Sequence, residues 1–153
     1  MIEQRRFTPD VFAFFSADQE RAERIFQEQG LMTFWIDGAK CPMPKDFLEQ
    51  LARAVQFPGE ELNLNVLGQE LSNLDWLDAN RFGIGIASGE RLFEQGNRYM
   101  WQYLLEMAWN IQRNVEDFQR PSIRWLIQID QSQMSGLQSF LESELGFVVP
   151  TLS

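Results

Sequence analysis

The sequence contains no histidine and only one cysteine, Cys41. Without histidine, the chain lacks the side chain that proteins use most often as a general base and as a neutral metal ligand. A single cysteine excludes an internal disulfide bond, and no histidine is present to activate its thiol as a nucleophile. We therefore predict that Cys41 is a small buried thiol rather than a reactive one, and we predict no metal site and no cofactor.

Basic residues are also scarce, with 13 Lys and Arg against 22 Asp and Glu and a formal net charge of -9. Binding to RNA or DNA normally requires a basic face, so direct contact with nucleic acid is not expected. An acidic surface favours either plain solubility or association with a basic partner through the long-range field of the protein. The composition alone does not decide between these two roles.

Long apolar runs are missing as well, because none approaches the roughly 18 residues that a membrane-spanning helix needs. The apolar run at 11–15 is too short for a secretory signal peptide and has no cleavage site of small residues. We expect 10–16 to form a strand of a cytoplasmic protein without membrane contact. With 153 residues, 44% of them hydrophobic, the chain is expected to form one domain with a substantial core.

The hydrophobic pattern predicts strands that alternate with helices, which indicates an α/β arrangement with a mainly parallel sheet. Strands are predicted at 10–16, 31–36, 81–87, 123–129 and 147–149. Helices are predicted at 17–29, 44–55, 97–115 and 135–144, with a shorter one at 90–93 and another that includes 64–71. Ser16 and Gln19 are expected to form a capping box, and Gly83 and Gly85 are expected to admit a neighbouring backbone.

The sequence contains no specific active-site motif, and no catalytic residue and no enzymatic activity are predicted. Glu60 and Glu61 open a predicted helix, where the positive end of the helix dipole attracts acidic residues in any case. Gly83 and Gly85 belong to a predicted strand that lacks the third glycine and the following helix of a phosphate-binding loop. The aromatic residues of 97–115 are expected to pack in the core rather than to bind a cofactor.

Four segments in a fixed order point to a family. They are Phe34-Trp35-Ile36-Asp37-Gly38, Ala54-Val55-Gln56-Phe57-Pro58, Leu62-Asn63-Leu64-Asn65-Val66-Leu67 and Leu71-Ser72-Asn73-Leu74-Asp75-Trp76-Leu77. With the helix near 97–115 and the strand near 123–129, their order and spacing resemble the barstar-like family of bacterial ribonuclease inhibitors. The resemblance covers about 33–130 of a single domain, 1–153, so that 1–32 and 131–153 are additions packed on the core.

The resemblance implies a barstar-like layered fold, in which a small, mainly parallel sheet is flanked by helices. In this chain an N-terminal strand–helix unit and a C-terminal helix would extend that fold. The resemblance also implies a function, that of an immunity protein or antitoxin that binds a toxin domain, above all a nuclease, and occludes its active site. The partner would be a basic toxin, and the chain would be a monomer when free.

The family binds its target through the loop after the first core helix and the N-terminal half of the second, which corresponds to 58–69. The resemblance therefore implies partner-binding residues in this stretch, with two further acids at its rim. These residues are Glu60, Glu61, Asn63, Asn65, Gln69, Asp75 and Asp78.

The sequence departs from the family pattern within this stretch. Asn65 and Gln69 are neutral where the family presents two aspartates, and Gly59, Glu60 and Glu61 replace aromatic residues of the loop. Glu60 and Glu61 could supply the missing negative charge. The alternative is an interaction or regulatory module that keeps the barstar fold but has lost nuclease inhibition.

Overall fold

The structure, a computed structural model, describes residues 4–41, 43–56, 81–94, 98–118 and 122–152. The strands are β1 Arg5–Arg6, β2 Phe12–Phe15, β3 Met32–Asp37, β4 Arg81–Ala87, β5 Ser122–Gln128 and β6 Phe147–Val148. The helices are α1 Gln19–Glu28, α2 Pro44–Ala54, α3 Glu90–Glu94, α4 Arg98–Phe118 and α5 Gln131–Phe140. A 3-10 turn, Gly38–Lys40, follows β3, and a π-helical turn, Leu141–Leu145, extends α5. The predicted helix that includes 64–71 lies outside the described residues.

The central sheet has the strand order β2-β5-β4-β3, and all of its neighbouring strands are parallel. At its β2 edge the C-terminal tail adds further backbone pairing, because Phe14 N donates to Pro150 O at 2.9 Å and Leu152 N donates to Phe14 O at 2.8 Å. The same tail begins with β6, which pairs in parallel with β1. The predicted α/β class, with a mainly parallel sheet flanked by helices, is confirmed.

Alternate residues of each strand face opposite sides of the sheet, and the two sides differ. What we call the thick face buries Phe14, Ile84 and Trp125 against side chains of α2, α4 and α5. What we call the α1 face buries Ala13 and Leu126 of the strands against Ala22 and Phe26 of α1. The thick face therefore holds the main hydrophobic core, and among the described helices only α1 packs on the other side.

The structure corrects two local predictions. The helix cap is Asp18 and not Ser16, because Asp18 Oδ1 accepts a hydrogen bond from Arg21 N at 3.2 Å, and the helix begins at Gln19. An aspartate at this position satisfies the first-turn amide, so the expected capping box does not form. The helix ends at Glu28, one residue before its predicted end at 29, and Gly30 then follows with a φ of 68°.

The second correction concerns the glycines of β4. A Cβ on Gly83 would lie 2.6 Å from the ring of Phe26, and a Cβ on Gly85 would overlap the ring of Trp35. The groups that approach these glycines are therefore aromatic side chains and not a neighbouring backbone. The absence of a Cβ lets both rings lie close against the α1 face.

The two long helices of the thick face largely match their predictions. α2 begins at Pro44 and buries Phe47 and Leu51, as its apolar spacing predicted. α4 buries Trp101 completely, which favours the core role predicted for its aromatic residues. It is not buried all round, however, because Tyr103 is 45% exposed and one side of the helix faces solvent.

α5 is the helix whose boundary was predicted least well, since it begins at Gln131 and not at 135. Its first turn consists mostly of polar residues, so the hydrophobic pattern gives no sign of it. Met134 supplies the first buried contact with the thick face.

Candidate functional site

The predicted partner-binding residues all belong to the stretch 57–80, which lies outside the described residues. These residues are Glu60, Glu61, Asn63, Asn65, Gln69, Asp75 and Asp78. The structure does describe the segments on either side of this stretch, namely the end of α2 and the beginning of β4. They show how the fold fixes the residues on either side of the stretch.

The end of α2 is anchored in the core. Val55 is fully buried in the cluster of the thick face, and its N–H donates to Leu51 O at 3.0 Å. The next residue, Gln56, has a φ of 56°, a left-handed conformation that commonly ends helices. The helix ends at Ala54, one residue before its predicted end at 55, and Gln56 redirects the chain.

The beginning of β4 is fixed at the amino edge of the sheet, where the parallel strands start. Arg81 Nη1 donates to Gln29 O at 3.0 Å, and Arg124 Nη1 of β5 donates to Gln29 Oε1 at 2.6 Å. Gln29 follows the last turn of α1, where the helix dipole is negative and cations are favoured. Two arginines therefore tie β4 and β5 to the end of α1.

Arg124 is unusual because the whole residue is only 8% exposed. Its Nε is buried and has no hydrogen-bond partner among the described residues. Burial lowers the pKa of the Arg124 guanidinium, while the carboxylate of Asp10 raises it and the cation of Arg81 lowers it. An arginine stays charged in spite of such a shift, so the amino edge contains a buried positive charge next to Arg81.

This pair of arginines was not singled out in the sequence. The only local signal is that Arg124 stands between Ile123 and Trp125 in an otherwise apolar strand. Its position places it on the α1 face, opposite those two neighbours, which belong to the thick-face core. The geometry gives it a positioning role toward Gln29 and the amino end of β5.

Cys41 is a buried thiol, as predicted, with 2% of its surface exposed. Its Sγ lies 3.4 Å from Asp37 O, to which it donates a weak hydrogen bond. Burial, and to a smaller extent the carboxylates of Asp46 and Asp37, together raise the pKa of Cys41 to about 11. Because the thiolate is the reactive form, this environment does not support a nucleophile.

At the opposite, carboxyl edge of the sheet, the side chain of Gln128 makes hydrogen bonds to two other segments. Its Nε2 donates to Ala17 O at 3.2 Å, and its Oε1 accepts from Ser88 N at 3.1 Å. These bonds join the end of β5 to the segments that follow β2 and β4. Ser88 has a φ of 51°, and the bond to Gln128 helps to hold this left-handed conformation.

No three Cys, Asp or Glu side chains in the described parts of the chain converge in a way that could hold a metal ion. No helix of those same parts is long and apolar enough to cross a membrane. No model of a known protein family matches the sequence, and no curated protein matches it significantly.

Proposed function

We propose that the chain is an immunity protein, or antitoxin, that binds a toxin domain, most readily a nuclease, and covers its active site. One observation is the basis of the proposal. The stretch 57–80 contains five carboxylates and none of the 13 lysines and arginines of the chain. Negative charge is thus concentrated in the stretch for which the family resemblance implies partner contact.

The fold supports this proposal by fixing the residues on either side of the stretch. On its N-terminal side, Val55 is buried in the core. On its C-terminal side, Arg81 donates a hydrogen bond to Gln29 O. A binding segment between two fixed ends loses less conformational freedom when it binds, and this loss is one of the main costs of association. The adjacent parallel strands β3, β4 and β5, with α2 following β3, also suit the small, mainly parallel sheet that the resemblance implies.

The proposed mechanism is occlusion of a basic site. A nuclease holds the phosphates of its substrate with arginine and lysine, and these cations prefer carboxylate partners. Glu60 and Glu61 would pair with them, while the amides of Asn63, Asn65 and Gln69 would hydrogen-bond at the same surface. Because the partner would then be unable to bind nucleic acid, the chain itself needs no catalytic group.

Asp75 and Asp78 would lie at the rim of this interface. Their charges would mainly accelerate association, since rim charges act through the field at a distance. The complex would form in the cytoplasm of the producing cell, from a free chain that is monomeric.

The first test is capture of the partner from the native host with the tagged chain. We expect a basic protein that degrades RNA or DNA on its own and loses that activity when the chain is added. Capture of a protein without toxic activity would contradict inhibition and favour the alternative, an interaction or regulatory module.

The second test uses the captured partner and two matched triple variants. The site variant changes Glu60→Lys, Glu61→Lys and Gln69→Lys. The control variant makes the same two kinds of change on the exposed side of α1, at Glu20→Lys, Gln27→Lys and Glu28→Lys. Both change the net charge equally, so they separate a local contact from the overall field.

We expect the site variant to bind at least tenfold more weakly, because each reversal leaves a cation of the partner unpaired or repelled. The control variant should lose less than threefold in affinity. Equal losses in the two variants would show that only net charge matters, and unchanged binding of the site variant would place the interface outside 57–80. Surface plasmon resonance at two salt concentrations would provide these comparisons.

A further inference from the structure

A second surface feature lies far from the beginning of β4. A cleft of about 230 Å³ opens at the carboxyl end of β2. Its lining combines the segment after β2, the first two turns of α1, the start of α5 and the C-terminal tail. The lining includes Phe15, Ser16, Arg21, Ile25, Gln131 and Leu152.

The topology gives this position a general meaning. α1, which follows β2, packs on the α1 face, whereas α5, which follows β5, packs on the thick face. The described helices that follow β3 and β4 also contribute to the thick face. Within the four-stranded sheet, β2 and β5 are therefore the neighbours whose following helices diverge to opposite sides. In open parallel sheets, ligands bind in the crevice that such a divergence creates beyond the carboxyl ends of the strands.

The cleft is also held in shape by hydrogen bonds of the backbone and of Gln128. Ile129 N donates to Phe15 O at 2.8 Å, which joins the segments after β5 and β2. Gln128 Nε2 donates to Ala17 O from the same side. On the far wall, Leu152 N donates to Phe14 O. The loops around the cleft are thus fixed before any ligand binds, which reduces the cost of binding.

The floor of the cleft is apolar and sets the size of the ligand. Phe15 and Ala22 are buried, and Ile25 and Leu152 are half-buried. A closed apolar cavity of about 150 Å³ in a protein core can hold one benzene ring. A cleft of about 230 Å³ that is open to solvent on one side therefore suits a hydrocarbon body of about five or six carbons.

The charged groups around the cleft are already engaged within the protein. Asp18 caps α1 by accepting from Arg21 N at 3.2 Å, and Arg21 makes a further interaction of its own. On the α5 side, the carboxylate of Asp130 accepts from Ser132 Oγ. An anion in the cleft would lie near the carboxylate of Asp18, and a cation would lie near the guanidinium of Arg21. Because a charged ligand would also lose hydration over the apolar floor, the cleft favours an uncharged ligand.

The start of α5 indicates the polar end of that ligand. α5 begins at Gln131, which lines the cleft, and its N-cap, Asp130, makes no side-chain hydrogen bond to the first turn. The first N–H groups of a helix have no acceptor within the helix. The side chains of Gln131 and Ser16, both exposed, add an amide and a hydroxyl donor to the same rim. The rim therefore suits a neutral oxygen acceptor such as the carbonyl of an amide.

From these observations we propose that the cleft binds a small uncharged amphiphile, which has a hydrocarbon body of about five or six carbons and a terminal amide or other neutral carbonyl group. The body lies on Phe15, Ile25 and Leu152, and the carbonyl oxygen lies at the rim between Ser16 and Gln131. This site is independent of the proposed toxin contact, because it lies at the carboxyl edge of the sheet and the stretch 57–80 joins β4 at the amino edge.

The test is a titration of the 15N-labelled full chain with hexanamide, followed by NMR. Hexanoate and hexylammonium have nearly the same shape but carry one charge, and propanamide has the same polar group on a shorter body. We expect hexanamide to shift the amide signals of 15–25, 131 and 151–152 in a saturable way at millimolar concentration. The two charged controls should bind at least fivefold more weakly. Propanamide should also bind at least fivefold more weakly, because it covers less of the apolar floor.

Two variants of α1 test the exclusion of anions. Asparagine caps helices about as well as aspartate, so Asp18→Asn removes the carboxylate while α1 keeps its cap. Hexanoate should then bind at least threefold more tightly, and the affinity for hexanamide should stay within twofold. Glu28→Gln removes a carboxylate at an exposed position at the other end of the same helix, and it should leave both affinities within twofold.

A further pair of variants tests the cleft itself. Ile25→Phe fills part of its volume and should weaken hexanamide binding more than fivefold. Leu48→Phe introduces the same ring at a half-buried position of α2 that does not line the cleft, and it should leave binding within twofold. Circular dichroism verifies the fold of both variants, and if Ile25→Phe unfolds, the ligand series and Asp18→Asn decide the outcome.

The proposal is overturned if hexanamide does not saturate at millimolar concentration, if its signals lie elsewhere, or if hexanoate binds equally well. Equal losses of affinity in the two phenylalanine variants would also overturn it. The same holds for an unchanged affinity for hexanoate in Asp18→Asn.

Discussion

The two faces of the central sheet are built from the same strands but in different ways, and β4 shows the difference most clearly. Its residues Phe82, Ile84 and Ile86 belong to the core of the thick face, whereas the alternate residues Gly83 and Gly85 lie on the α1 face. Large side chains on one face need several helices to cover them. Where β4 has only glycines, the described part of the chain covers the sheet with α1, including its ring of Phe26, and with the ring of Trp35.

On the α1 face, the rings of Phe26 and Trp35 cover part of the sheet that further helices would otherwise have to cover. Phe26 of α1 lies over Gly83, and Trp35 of the edge strand β3 lies over Gly85. Their ring centres are 6.2 Å apart, at a distance typical of interacting aromatic pairs. Phe26 is fully buried, but Trp35 is only half-buried. The α1 face is therefore expected to contribute less to stability than the thick face, and to be less rigid toward its outer edge.

The largest expected effect comes from removing one tryptophan from each face. Trp125→Ala empties a fully buried position of the thick face and should lower the free energy of unfolding by about 3–5 kcal/mol. Trp35→Ala removes a half-buried ring and should lower it by less than half as much. Urea denaturation of both variants, followed by circular dichroism, gives the comparison. Equal losses would mean that the two faces bury their tryptophans equally well.

A pH titration tests how well the thick-face core excludes water. The unfolded thiol of Cys41 ionises near its ordinary pKa of 9.0, whereas burial raises the pKa of Cys41 to about 11 in the folded chain. The folded state therefore favours the neutral thiol. The neutral thiol therefore adds its full contribution to the free energy of unfolding below pH 9. That contribution, of up to about 2–3 kcal/mol, is lost as the pH rises toward 11.

The control for this prediction is Cys41→Ala. The difference in unfolding free energy between the natural chain and this variant should be constant up to about pH 9 and then shift against the natural chain. A difference that stays constant from pH 8 to pH 11 would show that water reaches the thiol of Cys41 in the folded state.

The strands of the sheet centre were predictable because burial leaves a strong local signal. The stretches 31–36, 81–87 and 123–129 are nearly continuous apolar runs, as expected for parallel strands covered on both sides, and each prediction is within about one residue of the structure. β1 has only two residues, both arginines, and it exists because β6 from the far end of the chain pairs with it. No local pattern can reveal such a strand.

The capping error at α1 has a similar origin. Ser16 and Asp18 are both good caps, and only the hydrogen bond to Arg21 N selects between them. The cleft between α1 and the C-terminal tail, which Phe15, Ile25 and Leu152 help to line, was beyond prediction for a different reason. It depends on which face each helix covers, and on Leu152 reaching β2 from the other end of the sequence. The toxin contact within 57–80 stays a prediction, since it lies outside the described residues.

The smallest expected effect, and the sharpest test of the α1 face, comes from adding one methyl group to each glycine of β4. Gly83→Ala should lower the free energy of unfolding by about 1–3 kcal/mol, because the buried ring of Phe26 has no room to move away. Gly85→Ala should cost less than about 1 kcal/mol, because the ring of Trp35 can turn toward solvent. The lower flexibility of alanine in the unfolded chain offsets part of this cost.

The mechanism behind this difference can be checked with the double variant Gly85→Ala, Trp35→Ala, measured by the same urea denaturation. If the methyl group acts only by displacing Trp35, it should cost nothing once the ring is gone, so the two changes will not be additive. Full additivity would mean that the backbone of β4, and not the ring of Trp35, resists the extra methyl group. In that case the backbone of β4 itself would require glycine at 85. The ring of Trp35 would then only fill the space left by the missing side chain.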